Sequence, residues 1–287
     1  MKFPETIGWV VWENMRENRI IRDCEIPVFE SHEISADLYR GSFDSPGRPC
    51  IVFLHGGGFV GGDKRQFSGM AAYLSLSLNA VCISINYRTA SQNIFPSAVI
   101  DCLGTCRWAD ENRERLKIGR FYLAGGSPGA NIAAMAAVNG RNILEGEKLA
   151  VLKSPPEHAI LLNPILDMNS FYEKNPIERG SVDQYLGRDS AELRKEASPL
   201  SYPRGGLSFL ILQGDDDRIV GNEALKEMKK RFVQAGSVVF VETFPNESHG
   251  WFNDSAKMDN VVHAIENYIC KAEGKHLHGN RETGKTV

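Results

Sequence analysis

One stretch constrains this chain more than any other: an apolar run that stops at glycines around a single serine and restarts as a small-residue helix. Residues 121–124 read as a buried strand and residues 130–138 as a helix. Between them lies Gly125-Gly126-Ser127-Pro128-Gly129, a G-x-S-x-G match in the strand–turn–helix setting that the motif requires. A serine held proud of a sheet on a sharp turn needs neighbours without side chains, because strand and helix pass close together there.

A second glycine cluster lies upstream. Residues 51–54 form another apolar run, which ends in His55-Gly56-Gly57-Gly58-Phe59. Three consecutive glycines after a strand leave backbone N–H groups bare and open to close approach, which is how an oxyanion hole is built from main chain. With HGGG first and G-x-S-x-G second, the sequence resembles the α/β-hydrolases. The branch it is similar to is the HGGG esterase/lipase group, related to hormone-sensitive lipase and to bacterial acetyl and feruloyl esterases. The resemblance runs from about residue 40 to residue 269. It implies an α/β-hydrolase fold, a mostly parallel sheet of about eight strands with helices on both faces. It also implies Ser127 as nucleophile and the N–H groups of Gly57 and Gly58 as oxyanion donors.

One residue departs from the family pattern. The N–H just after the nucleophile is an oxyanion donor in this family, and Pro128 has none. At the first position of a helix a missing N–H ordinarily costs nothing. Here it removes a group the reaction uses, and one such donor is typically worth on the order of 2.7–4 kcal/mol.

A serine hydroxyl is a weak nucleophile at neutral pH and needs a base in reach and a group to orient that base. In this fold the chain order is Ser, then Asp or Glu, then His, on loops after late strands. His249, in Glu247-Ser-His-Gly-Trp-Phe252, matches the family's His-Gly-aromatic signature and is the expected base. His32 and His158 lie in or beside strands, His263 in the final helix, and His276 and His278 near the C-terminus. His55 heads the glycine loop, where its expected task is to hold that loop by hydrogen bonding. The run Gly214-Asp215-Asp216-Asp217-Arg218-Ile219-Val220 fits the family's G-x-x-D-x-x-V and selects Asp217 as the acid. Asp216 is the alternative, and Asp167 a more distant one that is better read as a cap. Phe59, Tyr87 and Trp251 are candidates for the substrate pocket. Tyr87 has a competing structural reading, and Trp251 one as a packed aromatic beside His249.

The rest of the chain is read as alternating elements. Strands are expected at 20–30 and 32–39, as an antiparallel entry, then at 51–54, 80–86, 121–124, 158–166, 207–213 and 238–244. Helices are expected at 66–78, 95–116 with Pro96 in the first turn, 223–234 and 255–272. A length of 287 residues fits one α/β domain, expected over 1–272, with 1–20 and 167–201 as candidate cap elements and 273–287 as a disordered tail. The formal net charge of −3 gives no electrostatic case for nucleic acid or an anionic membrane as partner. The N-terminus shows neither signal peptide nor membrane span, so a cytoplasmic location is the expectation. Six cysteines without C-x-x-C read as buried free thiols. No metal or cofactor is expected: the histidines lack H-x-x-x-H spacing, and 56–62 does not satisfy a phosphate-loop pattern.

The resemblance therefore implies a serine carboxylesterase for short acyl esters, acetyl or feruloyl, on a small-molecule or carbohydrate alcohol. A homodimer formed through an edge strand is the candidate assembly. Pro128 motivates the alternative of a non-hydrolytic member of the fold: a lyase, an acyltransferase or a ligand-binding protein.

Overall fold

Short runs of β-branched, aromatic and leucine residues, unbroken by charge, build the centre of this protein. The computed structural model describes residues 19–29, 32–42 and 45–275. Its strands are β1 (Ile20–Phe29), β2 (His32–Arg40), β3 (Arg48–Leu54), β4 (Val81–Ile85), β5 (Ile118–Gly126), β6 (His158–Leu162), β7 (Ser208–Gly214) and β8 (Val238–Phe244). They form one sheet in the order β1-β2-β4-β3-β5-β6-β7-β8. The pairs β1–β2 and β2–β4 are antiparallel, and every pair from β4–β3 to β7–β8 is parallel.

Helices cover both faces. They are α1 (Ser68–Ser77), α2 (Ser97–Glu111), α3 (Arg113–Leu116), α4 (Pro128–Gly146), α5 (Met168–Lys174), α6 (Arg179–Leu186), α7 (Ala191–Glu196), α8 (Glu223–Gln234) and α9 (Met258–Ala272). All seven residues of β3 are buried, and the side chains of residues 50–54 divide between two cores. Cys50, Val52 and Leu54 join the core under α2 and α4, while Ile51 and Phe53 join the core under α1 and α9. In β5, Leu123 goes to the first core, and Tyr122 and Ala124 to the second. Burial on both faces is why such strands read as continuous apolar runs rather than alternations.

Parallel strands deliver their C-terminal ends to one edge of the sheet. From β3 the chain crosses to β4 on one side, whereas β5 to β8 are laid down on the other, so β3 and β5 flank a point where the winding reverses. In open α/β sheets ligands bind outside the strand ends at such a point. The HGGG loop follows β3 and Ser127 follows β5, with Leu54 in register with Gly125.

Several expected elements differ in extent: the 130–138 helix runs over Pro128–Gly146 and the 121–124 strand over Ile118–Gly126. The 95–116 helix is two pieces: Pro96 flanks its start at φ −99°, ψ 22° rather than sitting in its first turn, and Asn112 interrupts it at φ −101°, ψ 14°. The 158–166 strand stops at Leu162, because Asn163 takes a left-handed conformation (φ 46°) and Pro164 follows it. A 3₁₀ turn, Lys64–Phe67, precedes α1, with the Asp63 side chain accepting from the Arg65 N–H at 2.8 Å. Residues 167–201 hold α5, α6, α7 and two 3₁₀ turns. Residues 1–18, the greater part of the other candidate cap element, and 276–287 of the expected tail lie outside the described residues. No helix among the described residues is long and apolar enough to cross a membrane.

Candidate active site

The turn from β5 into α4 packs so closely on itself and on the end of β3 that side chains do not fit. A Cβ on Gly129 would lie 2.1 Å from the Leu54 carbonyl oxygen, and one on Gly125 would lie 2.3 Å from the Gly129 carbonyl oxygen. Ser127 sits on this turn at φ 54°, ψ −116°, a conformation that β-carbon sterics disfavour by roughly 1–3 kcal/mol. Its N–H donates to the Leu162 carbonyl at 2.9 Å, which fixes the strained residue to β6. Pro128 is the first residue of α4, so the position after Ser127 has no N–H to offer.

Ser127 Oγ lies 2.7 Å from His249 Nε2, and His249 Nδ1 lies 2.9 Å from Asp217 Oδ2. An ionised carboxylate only accepts, so Nδ1 carries the proton and Nε2 is left to accept from the serine hydroxyl. Of the three adjacent aspartates, Asp217 alone faces the ring. Asp216 pairs with Arg218 at 3.0 Å, and Asp215 accepts from the Asn246 N–H at 2.6 Å. Burial pushes the Asp217 carboxyl up, but the bond and charge of His249 and the N–H groups of Val220 and Ile219 outweigh it and hold it below the usual carboxylate range. Those two N–H groups reach Oδ1 at 3.1 and 2.9 Å.

The glycine loop after β3 is held from beneath. Gly57 and Gly58 have φ values of 119° and 61°, and a Cβ on Gly57 would lie 2.3 Å from the Gly61 carbonyl oxygen. Both features exclude ordinary side chains. Among the described residues no group accepts from the N–H of Gly57 or Gly58, and both glycines line the cavity at Ser127. Burial lowers the His55 pKa, partly offset by its bond to the Gly56 carbonyl, so the neutral ring donates from Nδ1 across 2.8 Å. Further along, the Lys64 N–H donates to Asn86 Oδ1 at 2.7 Å, and its ammonium bonds to Asp37 Oδ1 at 3.1 Å and to Asp23.

The cavity holds about 260 Å³ and opens over Ser127, His249 and the glycine loop. Phe59 lines it. Tyr87 and Trp251 do not. Tyr87 is buried, stacked on His55 with centroids 4.2 Å apart, and its hydroxyl donates to the His55 carbonyl at 2.8 Å. Trp251 packs on Phe244 and donates to Asn163 Oδ1 at 2.9 Å. The aromatic wall is supplied instead by Phe171 and Phe252.

Two polar residues at the site were missed in the sequence. Asn163, fully buried, donates to Asp217 Oδ2 while its Oδ1 takes the Trp251 indole, so it ties the aspartate and histidine loops together. Gln66 accepts from the Gly56 N–H at 2.5 Å and donates to Asn253 Oδ1 at 2.8 Å. An Asn-Pro pair closing an apolar run was the available signal for the first; nothing local marks the second.

Comparison with known proteins agrees with this architecture. The chain is 28% identical over 270 residues to an ethyl acetate hydrolase of Pseudomonas putida, covering 90% of this chain and 83% of that protein. It is 30% identical over 170 residues to probable carboxylesterase 6 of Arabidopsis thaliana, covering 55% of this chain and 46% of the plant protein. Several curated relatives are much longer than their match: the aligned part spans from 32% to 61% of their length. Among solved structures, a propionate-bound esterase from Thermogutta terrifontis superposes with a TM-score of 0.72 at 20% identity, over 91% of this chain and 96% of that one, a likeness of fold. A family profile described as the alpha/beta hydrolase fold matches residues 51–253, which is more than half of the sequence. With HGGG after β3, Ser127 on the turn after β5, and Asp217 and His249 after β7 and β8, the chain belongs to the α/β-hydrolase fold family.

Proposed function

We propose that this protein is a serine carboxylesterase acting on short-chain acyl esters through an acyl-enzyme intermediate. The observation that carries the reading is the unbroken relay Ser127–His249–Asp217, at 2.7 and 2.9 Å, ending in a cavity floored by two uncommitted glycine N–H groups. In the first step Ser127 Oγ attacks the ester carbonyl carbon as its proton passes to His249 Nε2. The negative charge on the carbonyl oxygen is taken up by the N–H groups of Gly57 and Gly58, and Asp217 stabilises the imidazolium. The carbonyl re-forms as His249 returns the proton to the leaving alcohol. Water, activated by the same ring, then releases the acid.

The small cavity supports acetyl and other short acyl groups ahead of feruloyl. Polar groups at its lining, Gln66, Ser181 and Asn253, are those a hydroxylated alcohol such as a carbohydrate would meet. Residues 167–201 act in this reading as a cap, since Phe171, Ser181 and Val182 wall the cavity. The names of the Pseudomonas and Arabidopsis relatives point to the same reaction. Pro128 does not favour the non-hydrolytic alternative, because two main-chain donors remain. Dimerisation through β8 is favoured by Val238 and Phe240, which are 50% and 41% exposed on that edge strand.

Hydrolysis of p-nitrophenyl acetate, with Ser127→Ala beside wild type, tests the reading. The variant is expected to lose about 10⁴-fold or more in kcat, and a fluorophosphonate probe is expected to label wild type only. Equal turnover by both forms overturns it.

A further inference from the structure

Glu178 closes a 3₁₀ turn (Pro176–Glu178) at the start of α6, in the segment between β6 and β7, and its side chain lines the Ser127 cavity. A methyl group placed on Gly58 would lie 3.6 Å from Glu178 Oε2 and 3.9 Å from Ser181 Oγ, so the carboxylate lies over the glycine loop. Among the described residues no hydrogen bond or ion pair reaches it. The nearby cations are engaged elsewhere. Arg179 Nε donates to the Tyr172 carbonyl at 3.0 Å with its guanidinium over the Tyr172 ring, and Lys174 pairs with Glu223 at 3.0 Å. Among the described residues no lysine or arginine lines the cavity, and three phenylalanines, Phe59, Phe171 and Phe252, do.

Glu178 is half-buried, and its carboxylate faces a largely apolar lining with no cation beside it among the described residues. Negative charge there opposes the negative charge that would grow beside Gly57 and Gly58. At a site that already lacks the N–H of residue 128, such a placement works against neutral esters. That opposition is relieved when the bound ester itself carries a positive charge. Its cation neutralises Glu178, adds a favourable field at the developing oxyanion, and meets aromatic faces that attract it.

We propose that Glu178 is a specificity-determining residue that selects esters bearing a positively charged nitrogen. The inference deepens the esterase reading and rests on it for the reaction, but not for the binding preference. The experiment keeps the two apart by measuring binding and turnover separately. Binding is read by calorimetry with a ketone that cannot be hydrolysed, 4-oxopentyl-trimethylammonium, against the same ketone with carbon in place of nitrogen. Wild type is expected to bind the cation at least tenfold more tightly, and Glu178→Gln and Glu178→Ala are expected to reduce that ratio below threefold. In wild type the ratio is also expected to fall as salt rises from about 20 mM to about 500 mM.

Equal binding of the two ketones by wild type overturns the proposal, as does a ratio that both variants retain. Turnover is read with acetylcholine and its carbon isostere. Hydrolysis of both at equal kcat/KM leaves the esterase reading standing and removes the role of Glu178. Hydrolysis of neither, with the cation preference in binding intact, sinks the esterase reading and leaves Glu178 as a cation-binding residue.

Discussion

Ser127 and the residue after it carry opposite consequences of one turn. The serine is held strained at φ 54°, and the helix that begins at Pro128 holds it there. Replacing Pro128 by alanine keeps a residue suited to a helix and restores an N–H beside the nucleophile. A single oxyanion donor is worth roughly 10²–10³ in rate, and part of that is already supplied by Gly57 and Gly58. Pro128→Ala is therefore expected to raise kcat/KM on p-nitrophenyl acetate by about ten- to a hundredfold. A loss of about 0.4–1 kcal/mol in stability is expected with it, because the unfolded chain regains freedom. An unchanged or slower rate in a folded variant would show that residue 128 is not placed to donate.

Asp217 gives a second residue-level outcome, in which the sign of the pH effect is fixed. Its carboxyl is lowered on folding despite the opposing effect of burial. A lowered carboxyl stabilises the folded state fully above the unfolded-state value near 3.9, and that stability is lost as pH falls through the folded value. Asp217→Asn removes the linkage, so urea unfolding is expected to show a larger deficit in the variant at pH 7 than below about pH 4. At pH 7 kcat is expected to fall about 10⁴-fold, since an amide does not stabilise the imidazolium. A deficit that is the same at both pH values would contradict the assigned charge. The loops bearing Ser127, Asp217 and His249 were legible because each lies in a short contiguous pattern. Asn163 and Gln66 were not, because their partners Asp217 and Asn253 lie 54 and 187 residues away in sequence.

Among elements, α4 meets the end of β3 backbone to backbone, with no room for a side chain between them. A Cβ on Gly129 would meet the Leu54 and His55 carbonyl oxygens at 2.1 and 2.5 Å, and both are backbone atoms of the strand that leads into HGGG. Neither can swing aside as a flexible side chain would. Gly129→Ala is expected to cost at least about 3 kcal/mol, the upper range for overpacking, read as a lower urea midpoint with an unchanged slope. Activity is expected to fall further than stability alone accounts for, because the same shift moves the glycine loop against Ser127. Strands were legible whether buried on both faces, as β3 and β4 are, or largely exposed, as β8 is, because each holds a short run of β-branched and aromatic residues bounded by turn residues. Element ends were less legible. Asn163 stops β6 through a left-handed backbone, with the following Pro164 as the one signal of it in the sequence, and Asn112 splits the 95–116 helix without interrupting its apolar pattern.

At the scale of the molecule, the parallel sheet gathers four loops at one edge, and the segment between β6 and β7 lies across them. In the proposed reading that division gives the protein a floor that carries the chemistry and a wall that sets what fits. The wall at the apolar end is Phe171 from α5 and Val182 from α6, both buried yet both lining the cavity. Neither touches the Ser127–His249–Asp217 relay, so shortening one enlarges the cavity without altering the chemistry. Each methylene that gains a buried place is worth about 0.8 kcal/mol. If Phe171→Ala makes room for two or three more, the kcat/KM ratio of p-nitrophenyl octanoate to acetate is expected to rise by about ten- to sixtyfold. Val182→Ala is expected to move the ratio the same way by a smaller factor. An equal fall on both esters would mean that the variant is only damaged. A ratio unmoved in a folded Phe171→Ala would mean that the acyl chain lies elsewhere, and residues 167–201 would then lose their role as the wall that sets chain length.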